Sequence, residues 1–526
     1  MPLVPLAQRI GRWPRRVIAA TAALSSGWVA WRCSNSTAIA IATSGGLLLS
    51  GSMILQWRAL RLTRARWQAA SEVVSLVLQS LKSEAREPQR HSTATNLALL
   101  YRVQQPDAAS VQPVAACDVA PVAPARLREA QRYMRFATAA YGHALMATFG
   151  YGCARAPSAS ALLKGADAID LEALCRHCHV EEADVVAMRQ GDEGAGCPGY
   201  FIAVDRARST IVLSVRGTAS IFDAVVHDLV CVAEPFPGGV AHAGMAHAAY
   251  ALRTAAMPML AELAAEHRSY RLLLTGHSMG GGVAALLAVL IHYERNPTLQ
   301  GAHVPPPPSA GATATAAETQ TAAAESLGSA EPAAVVDAEP AARLPLETSV
   351  ACITFASPPV YAPLGVLDSG LTQMISAYVH HADVVPSLSL ATVRTLLASL
   401  RALDATPLPP RRRLAIITGR EPPPPEMLEA LQVACSPGKV PAPTLSVPSQ
   451  DVVTLARLGA HRYDASSCSV DTFAARAIRL APSMVTDHSF GFYQHAIDCA
   501  VLAVGGDSQH GDGGSAAGDD HEAKAV

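Results

Sequence analysis

The sequence predicts an α/β protein built on a mostly parallel sheet with flanking helices, and three observations carry that prediction. The apolar run Leu272–Leu274 stops at Gly276-His277-Ser278-Met279-Gly280, and an Ala/Leu-rich helical pattern begins at once. This strand–turn–helix punctuation is the setting of a G-x-S-x-G nucleophile elbow. Runs rich in β-branched and aromatic residues, Tyr200–Val204, Thr210–Val215 and Val350–Phe355, read as further strands, as does Met374–Val379. Helical patterns lie between and after them, ending with Phe490–Val504. Strands alternating with helices specify a sheet covered on its faces.

The 526 residues allow one large domain with extensions, or two domains. A formal net charge of -2 excludes nucleic acid as the main partner. The 11 cysteines are odd in number and follow no framework spacing, so they read as reduced thiols facing a reducing compartment. Cys175-Arg-His-Cys178-His179 has no matching second pair, so no metal site is read there, and no cofactor motif is found.

The first region, 1–66, is basic and free of acid: no Asp or Glu precedes Glu72, and arginines cluster at 9, 12, 15 and 16 and again at 58, 61, 64 and 66. Between the clusters lie two uncharged stretches, Val17–Trp31 and Cys33–Trp57. A transmembrane helix needs about 20 residues, which the second stretch supplies and the first barely approaches. Tryptophans at 28, 31 and 57 fall near the ends, where interfacial aromatics belong. One or two membrane helices with cytoplasmic basic flanks are expected. A targeting peptide followed by one span, or a soluble helix pair, remain as alternatives.

Residues 67–198 read as a helical and irregular linker, with helical patterns at Trp67–Leu81 and Ala125–Thr148. The catalytic domain is expected over 199–504. It opens with a hairpin of Tyr200–Val204 and Thr210–Val215 about a turn at Asp205–Ser209. Two insertions without apolar periodicity are expected to be disordered, 296–346 with its run Pro305–Pro308, and 405–450 with Pro407–Arg413 and Pro422–Pro425. The Gly/Asp/Ser-rich tail, 505–526, is expected to be disordered as well.

The elbow directs the search for chemistry. Ser278 needs small neighbours at Gly276 and Gly280, because its turn is strained and tightly packed. A serine hydroxyl needs a base to take its proton and a carboxylate to orient that base. On this architecture they follow in the order acid, then histidine. Asp383, just past the end of the Met374–Val379 strand, is better placed than Asp368 or Asp404. His488, in a loop before the last helix, is better placed than His495 inside that helix, His461 in an irregular region, or His277 in the elbow itself. Oxyanion donors are expected at the backbone N–H of Met279 and at Thr218, which follows Arg216-Gly217 at a strand end.

These residues together resemble the class 3 lipases, most of all the sn-1-specific diacylglycerol lipases. The resemblance rests on Ile211–Asp223 with Asp228-Leu229, on Ala241–Met245, and on the Gly276–Gly282 elbow. Phe355–Pro359, Asp383–Pro386 and Asp487-His488 follow in the family's order. It implies an α/β-hydrolase fold and ester hydrolysis at a lipid–water interface. It also implies Ser278 as nucleophile, Asp383 as acid, His488 as base and Thr218 as an oxyanion donor. Implied with these are a lipid substrate and a membrane partner, with phospholipase A1 or triacylglycerol lipase activity, or an inactive lipid-binding scaffold, as alternatives. Two features depart from the family. Its animal members are expected to have four membrane spans, against at most two here, and Met279 stands where leucine is commoner.

Overall fold

The computed structural model describes residues 90–105, 120–149, 156–189, 196–218, 233–299, 342–363, 367–434, 445–474 and 478–506. The membrane helices expected within 17–57, most of the 296–346 insertion and nearly all of the tail lie outside these residues. Among the described residues no helix is long and apolar enough to cross a membrane.

In chain order the strands are β1 (Ala120–Pro121), β2 (Val185–Arg189), β3 (Tyr200–Asp205), β4 (Thr210–Val215), β5 (Ala233–Phe236) and β6 (Gly239–His242). They continue with β7 (Arg271–His277), β8 (Val350–Phe355), β9 (Tyr361–Pro363), β10 (Ile375–His380), β11 (Asp451–Arg457) and β12 (Tyr463–Ser469). Among the described residues, nine form one sheet in the order β1-β12-β11-β10-β8-β7-β4-β3-β2, and β5, β6 and β9 form a small second sheet. The central strands β4, β7, β8, β10 and β11 run parallel. Both flanks are antiparallel.

The sheet is therefore mixed rather than mostly parallel. Hairpins cause the difference: a short turn can join only antiparallel strands. β3 and β4 pair about the expected turn, and β11 and β12 pair about residues 458–462. The expected linker also contributes to the sheet. β2 pairs with β3, β1 pairs with β12, and helix Pro124–Ala139 packs on the sheet face, so the domain begins before residue 199.

Alternation along the strands divides the core in two. Ile211, Leu213, Leu272, Leu274 and Val379 face helices Ala243–Glu266 and Met279–Arg295. Val212, Leu273, Ile353, Phe355 and Tyr378 face helices Pro124–Ala139 and Phe490–Gly506. The central strands are thus covered on both sides, which explains why Leu272–Leu274 is an unbroken apolar run. Each such side chain contributes about 1.5–3 kcal/mol by leaving water.

A third apolar cluster corrects the reading of 405–450. Helices Thr93–Val103, Leu390–Ala405, Pro410–Ile417 and Pro425–Ala434 bury Leu97, Leu100, Leu400, Leu403, Ile416, Met427 and Leu431 together. The proline runs that suggest an irregular segment are helix starts. Pro410 and Pro425 open their helices, where a missing N–H costs nothing. Arg413 is fully buried, and its guanidinium donates to the carbonyls of Leu403 and Thr406 at 2.9 and 2.6 Å, closing the end of Leu390–Ala405.

Asp404 joins the same cluster to the segment before Thr93. Its carboxylate accepts from the backbone N–H groups of Arg90 and His91 at 2.7 and 2.9 Å and from Asn96 Nδ2 at 3.1 Å. Burial opposes ionisation of this carboxyl, but the bonds from Asn96, Arg90 and His91 outweigh it and hold the group down at about 2. An unfolded aspartate titrates near ~3.9. The folded value lies lower, so this stabilisation is complete above about pH 4 and is lost as pH falls toward 2. Asp404→Asn is expected to cost about 1–3 kcal/mol at neutral pH. Thermal melts should show a shallower loss of Tm between about pH 4 and pH 2 in the variant than in the wild type.

Candidate active site

Parallel alignment sends the C-terminal ends of β4, β7, β8 and β10 to one edge of the sheet, where α/β proteins build their sites. Ser278 follows β7 and opens helix Met279–Arg295. Its backbone has φ 59° and ψ -131°, a conformation costing about 1–3 kcal/mol that persists only where the surroundings enforce it. They do so here. The Ser278 N–H donates to the Phe355 carbonyl at the end of β8, at 2.9 Å. A Cβ on Gly276 would lie 2.4 Å from the backbone of Gly280, and a Cβ on Gly280 would lie 2.2 Å from the Val215 carbonyl at the end of β4.

Asp383 lies three residues beyond β10, after a left-handed turn at His381 (φ 44°). His488 ends a short 3-10 turn, Thr486–His488, just before helix Phe490–Gly506. All three side chains are buried and in line. His488 Nε2 is 2.8 Å from Ser278 Oγ, and His488 Nδ1 is 3.1 and 3.0 Å from the two Asp383 oxygens. With the carboxylate accepting from Nδ1–H, Nε2 is the free acceptor for the serine proton. Asp383 is itself fixed: Oδ1 accepts from the Val385 N–H at 3.0 Å, and Oδ2 accepts from the Tyr493 hydroxyl at 2.6 Å.

The loops bearing Asp383 and His488 are laced together. His380 Nδ1–H donates to the Asp487 carbonyl at 2.9 Å, the Ala382 N–H donates to Asp487 Oδ2 at 3.3 Å, and Ser483 Oγ donates to the same oxygen at 2.7 Å. Asp487 is fully buried, with the Arg457 guanidinium 3.7 Å from its other oxygen.

His277 supports the base from beneath. Its Nε2 lies 2.8 Å from the His488 carbonyl, which can only accept, so Nε2 carries the proton. Nδ1 is then an acceptor, and the Tyr141 hydroxyl donates to it at 2.9 Å. Burial, reinforced by the His488 ring, pushes His277 well below the ordinary imidazole range and keeps it neutral. Tyr141 stacks on Phe490 at 4.6 Å, and burial drives its phenol well above the usual value.

Thr218 lies three residues past β4, the strand that pairs with the elbow strand β7. Its Oγ1 is buried and has no hydrogen-bond partner among the described residues. Met279 is the first residue of helix Met279–Arg295, so its N–H belongs to the first turn, which an α-helix leaves unpaired. The helix dipole adds positive potential at the same point.

Ser278, Asp383 and His488 thus form one hydrogen-bonded line, with Gly276 and Gly280 packed about the first of them. The competing residues serve elsewhere. Asp368 caps helix Ser369–Met374 by accepting from the Gly370 N–H at 2.9 Å, and Asp404 belongs to the helical cluster. His495 Nε2 donates to the Ala460 carbonyl at 3.3 Å, and His461 stands exposed in the β11–β12 turn. Tyr141, His277, Asp487 and Tyr493 are supporting residues, a role that the sequence assigns to none of them. Tyr493 and Asp487 lie five residues after and one before His488, but no motif marks a second-rank partner.

The family model described as "Lipase (class 3)" matches residues 212–325. That stretch is similar to the class 3 lipases, and the chain also has similarity to a diacylglycerol lipase. Diacylglycerol lipase-beta of Mus musculus is 29% identical over 193 residues, 32% of this chain and 28% of that protein. A lipase of Rhizopus niveus is 35% identical over 104 residues, 19% of this chain and 26% of its own. The chain therefore spans under a third of the length of either relative. Among solved structures, a Rhizomucor miehei lipase–propeptide complex matches at 14% identity with a TM-score of 0.38, covering 75% of this chain and 91% of that one.

Removing the Tyr493 hydroxyl tests the carboxylate's anchorage. Tyr493→Phe is expected to slow the labelling of Ser278 by a fluorophosphonate about tenfold, corresponding to about 1.4 kcal/mol of barrier. The comparison is made at matched folded fraction by circular dichroism. Unchanged labelling would assign that hydrogen bond to packing alone.

Proposed function

We propose that the chain is an α/β-hydrolase serine lipase that cleaves acylglycerol esters, with diacylglycerol as the substrate class, through an acyl-enzyme. The observation that carries this reading is the Ser278–His488–Asp383 line, with Oγ–Nε2 at 2.8 Å and Nδ1–carboxylate at 3.0 Å. Ser278 Oγ attacks the ester carbonyl carbon as its proton passes to His488 Nε2. Negative charge moves to the carbonyl oxygen, which the N–H of Met279 and the N–H and hydroxyl of Thr218 receive. The Thr218 Oγ1, buried and without a partner among the described residues, supports this role, since a buried hydroxyl without a partner is costly unless a ligand completes it. Collapse breaks the ester C–O bond, and His488 returns the proton to the departing glycerol oxygen. Water then attacks the acyl-enzyme with His488 as base, releasing the fatty acid and restoring Ser278.

The choice of diacylglycerol follows the similarity to the mouse diacylglycerol lipase. The higher identity to the fungal lipases, over a shorter stretch, supports lipase activity without selecting a substrate, and triacylglycerol hydrolysis by the same residues is the alternative that substrate profiling tests. Membrane attachment through 17–57 is part of the proposal and is supported by the charge-free stretches and their basic flanks.

Ser278→Ala is expected to abolish release of fatty acid and fluorophosphonate labelling without loss of fold. His488→Ala and Asp383→Asn should each lower kcat by several orders of magnitude. Asp404→Asn should retain most activity. Profiling of diacyl-, triacyl- and phosphoglyceride substrates by mass spectrometry decides the class. Preferred turnover of triacylglycerol would replace the substrate named here, and turnover by Ser278→Ala would remove the mechanism.

Deleting residues 1–58 is expected to move the protein from the pellet of carbonate-washed membranes largely to the supernatant. Equal extraction of the full and truncated chains would show that 17–57 is not an anchor.

A further inference from the structure

The β11–β12 turn and the last helix bring together three side chains that the ester chemistry does not use. His495 and Cys499 are four residues apart on helix Phe490–Gly506 and so share one face. His461 comes from the turn, held by the Leu458 and Gly459 N–H groups on the Arg462 carbonyl at 2.8 and 3.1 Å. One ligand atom from each of His461, His495 and Cys499 lies within 4.8 Å of the other two. The His461 and His495 rings meet edge to face at 5.3 Å, and Cys499 Sγ lies 3.9 and 3.7 Å from Nδ1 and Nε2 of His495.

We propose that His461, His495 and Cys499 form a binding site for a divalent transition-metal ion of the zinc class, with solvent as fourth ligand, which clamps the β11–β12 turn to the last helix. The donor set is two imidazoles and a thiolate, which select Zn²⁺ over hard cations. Zn–N near ~2.0 Å and Zn–S near ~2.3 Å place tetrahedral ligand atoms about 3.5 Å apart, close to the separation already present between His495 and Cys499. The exposed His461 is free to swing in by the remainder. His495 carries the supporting bond that metal-binding histidines use: Nε2–H donates to the Ala460 carbonyl at 3.3 Å, which leaves Nδ1 as the ligand atom. The soft χ2 torsion of histidine lets that nitrogen turn toward the ion.

Ions of the zinc class bind cysteine as the thiolate. Binding therefore forms the metal–sulfur bond and releases one proton to solvent, and affinity rises with pH. The clamp acts on the helix whose Tyr493 holds Asp383, and the proposal stands independently of the substrate assigned above.

The test uses the full chain, stripped with a chelator and titrated with Co²⁺ and then Zn²⁺. One equivalent of Co²⁺ should produce the visible bands of a tetrahedral ion and a near-ultraviolet thiolate charge-transfer band, and Zn²⁺ should displace both. Zn²⁺ should also raise Tm. Cys499→Ser should lose the charge-transfer band. His461→Ala, at an exposed turn where folding is not at risk, should weaken binding at least tenfold with Ser278 labelling unchanged. Failure of the folded wild type to bind Co²⁺ would overturn the proposal. So would a charge-transfer band that survives Cys499→Ser, which would place the ion on other cysteines, or wild-type affinity in His461→Ala.

Discussion

Ser278 is held in a backbone conformation that a non-glycine residue reaches only under constraint, and the rest of the site is arranged around that constraint. The strain of about 1–3 kcal/mol is offset locally. The Ser278 N–H is tied to the end of β8, and helix Met279–Arg295 starts so close to β4 that Gly280 has no room for a methyl group. The end of β4 also meets the elbow at Gly217, where a Cβ would lie 2.5 Å from the His277 carbonyl. A single packing requirement therefore fixes the Ser278 turn and the helix start against the end of β4. The parallel register of β4, β7 and β8 makes the contact possible, because it sends the three strand ends to one edge.

The acid and the base arrive on separate loops whose alignment cannot come from the sheet alone. It comes from Asp487, a buried carboxylate that receives Ser483 Oγ and the Ala382 N–H, while its own carbonyl receives His380 Nδ1–H. The residue beside the base is thus the anchor of the loop that carries the acid. Burial lowers His380 below the usual imidazole range despite the nearby carboxylates, so this seam is held by neutral hydrogen bonds and by one buried carboxylate near Arg457. Tyr493 completes the arrangement from the last helix. Each partner of Asp383 then comes from a different element: its own loop, the base, and the helix behind the base.

The central strands and the elbow were legible because their physical signals are local. Leu272–Leu274 is apolar throughout since both sheet faces are covered, and Gly276 and Gly280 are dictated by atoms only a few residues away. Asp383 and His488 were legible through strand ends and chain order. Of the antiparallel flanks, the β3–β4 hairpin was legible from its turn, but β1 and β2 were not, because both are short and poorly buried and β1 pairs with the distant β12. Residues 405–450 misled because proline is a breaker inside a helix but a favoured residue at its start, and only tertiary burial of Arg413 and Ile416 distinguishes the two. Tyr141 and His277 were illegible as partners since their hydrogen bond joins residues 136 apart.

That pair has an electrostatic consequence for the base. The His277 and His488 rings lie with centroids 4.9 Å apart, so a proton on both would set two positive charges side by side in a buried space. In the proposed mechanism, proton transfer from Ser278 would place positive charge on His488, and a neutral His277 would set no second charge beside it. Two features keep His277 neutral. Burial penalises its charged form, and the hydrogen-bond directions leave no place for a second proton, because Nδ1 is occupied as the acceptor of the Tyr141 hydroxyl. With His277 neutral, the charge that develops on His488 faces the Asp383 carboxylate on one side and an uncharged ring on the other. The histidine within the elbow thus supports the base by remaining uncharged, while its Nε2–H holds the His488 carbonyl in place.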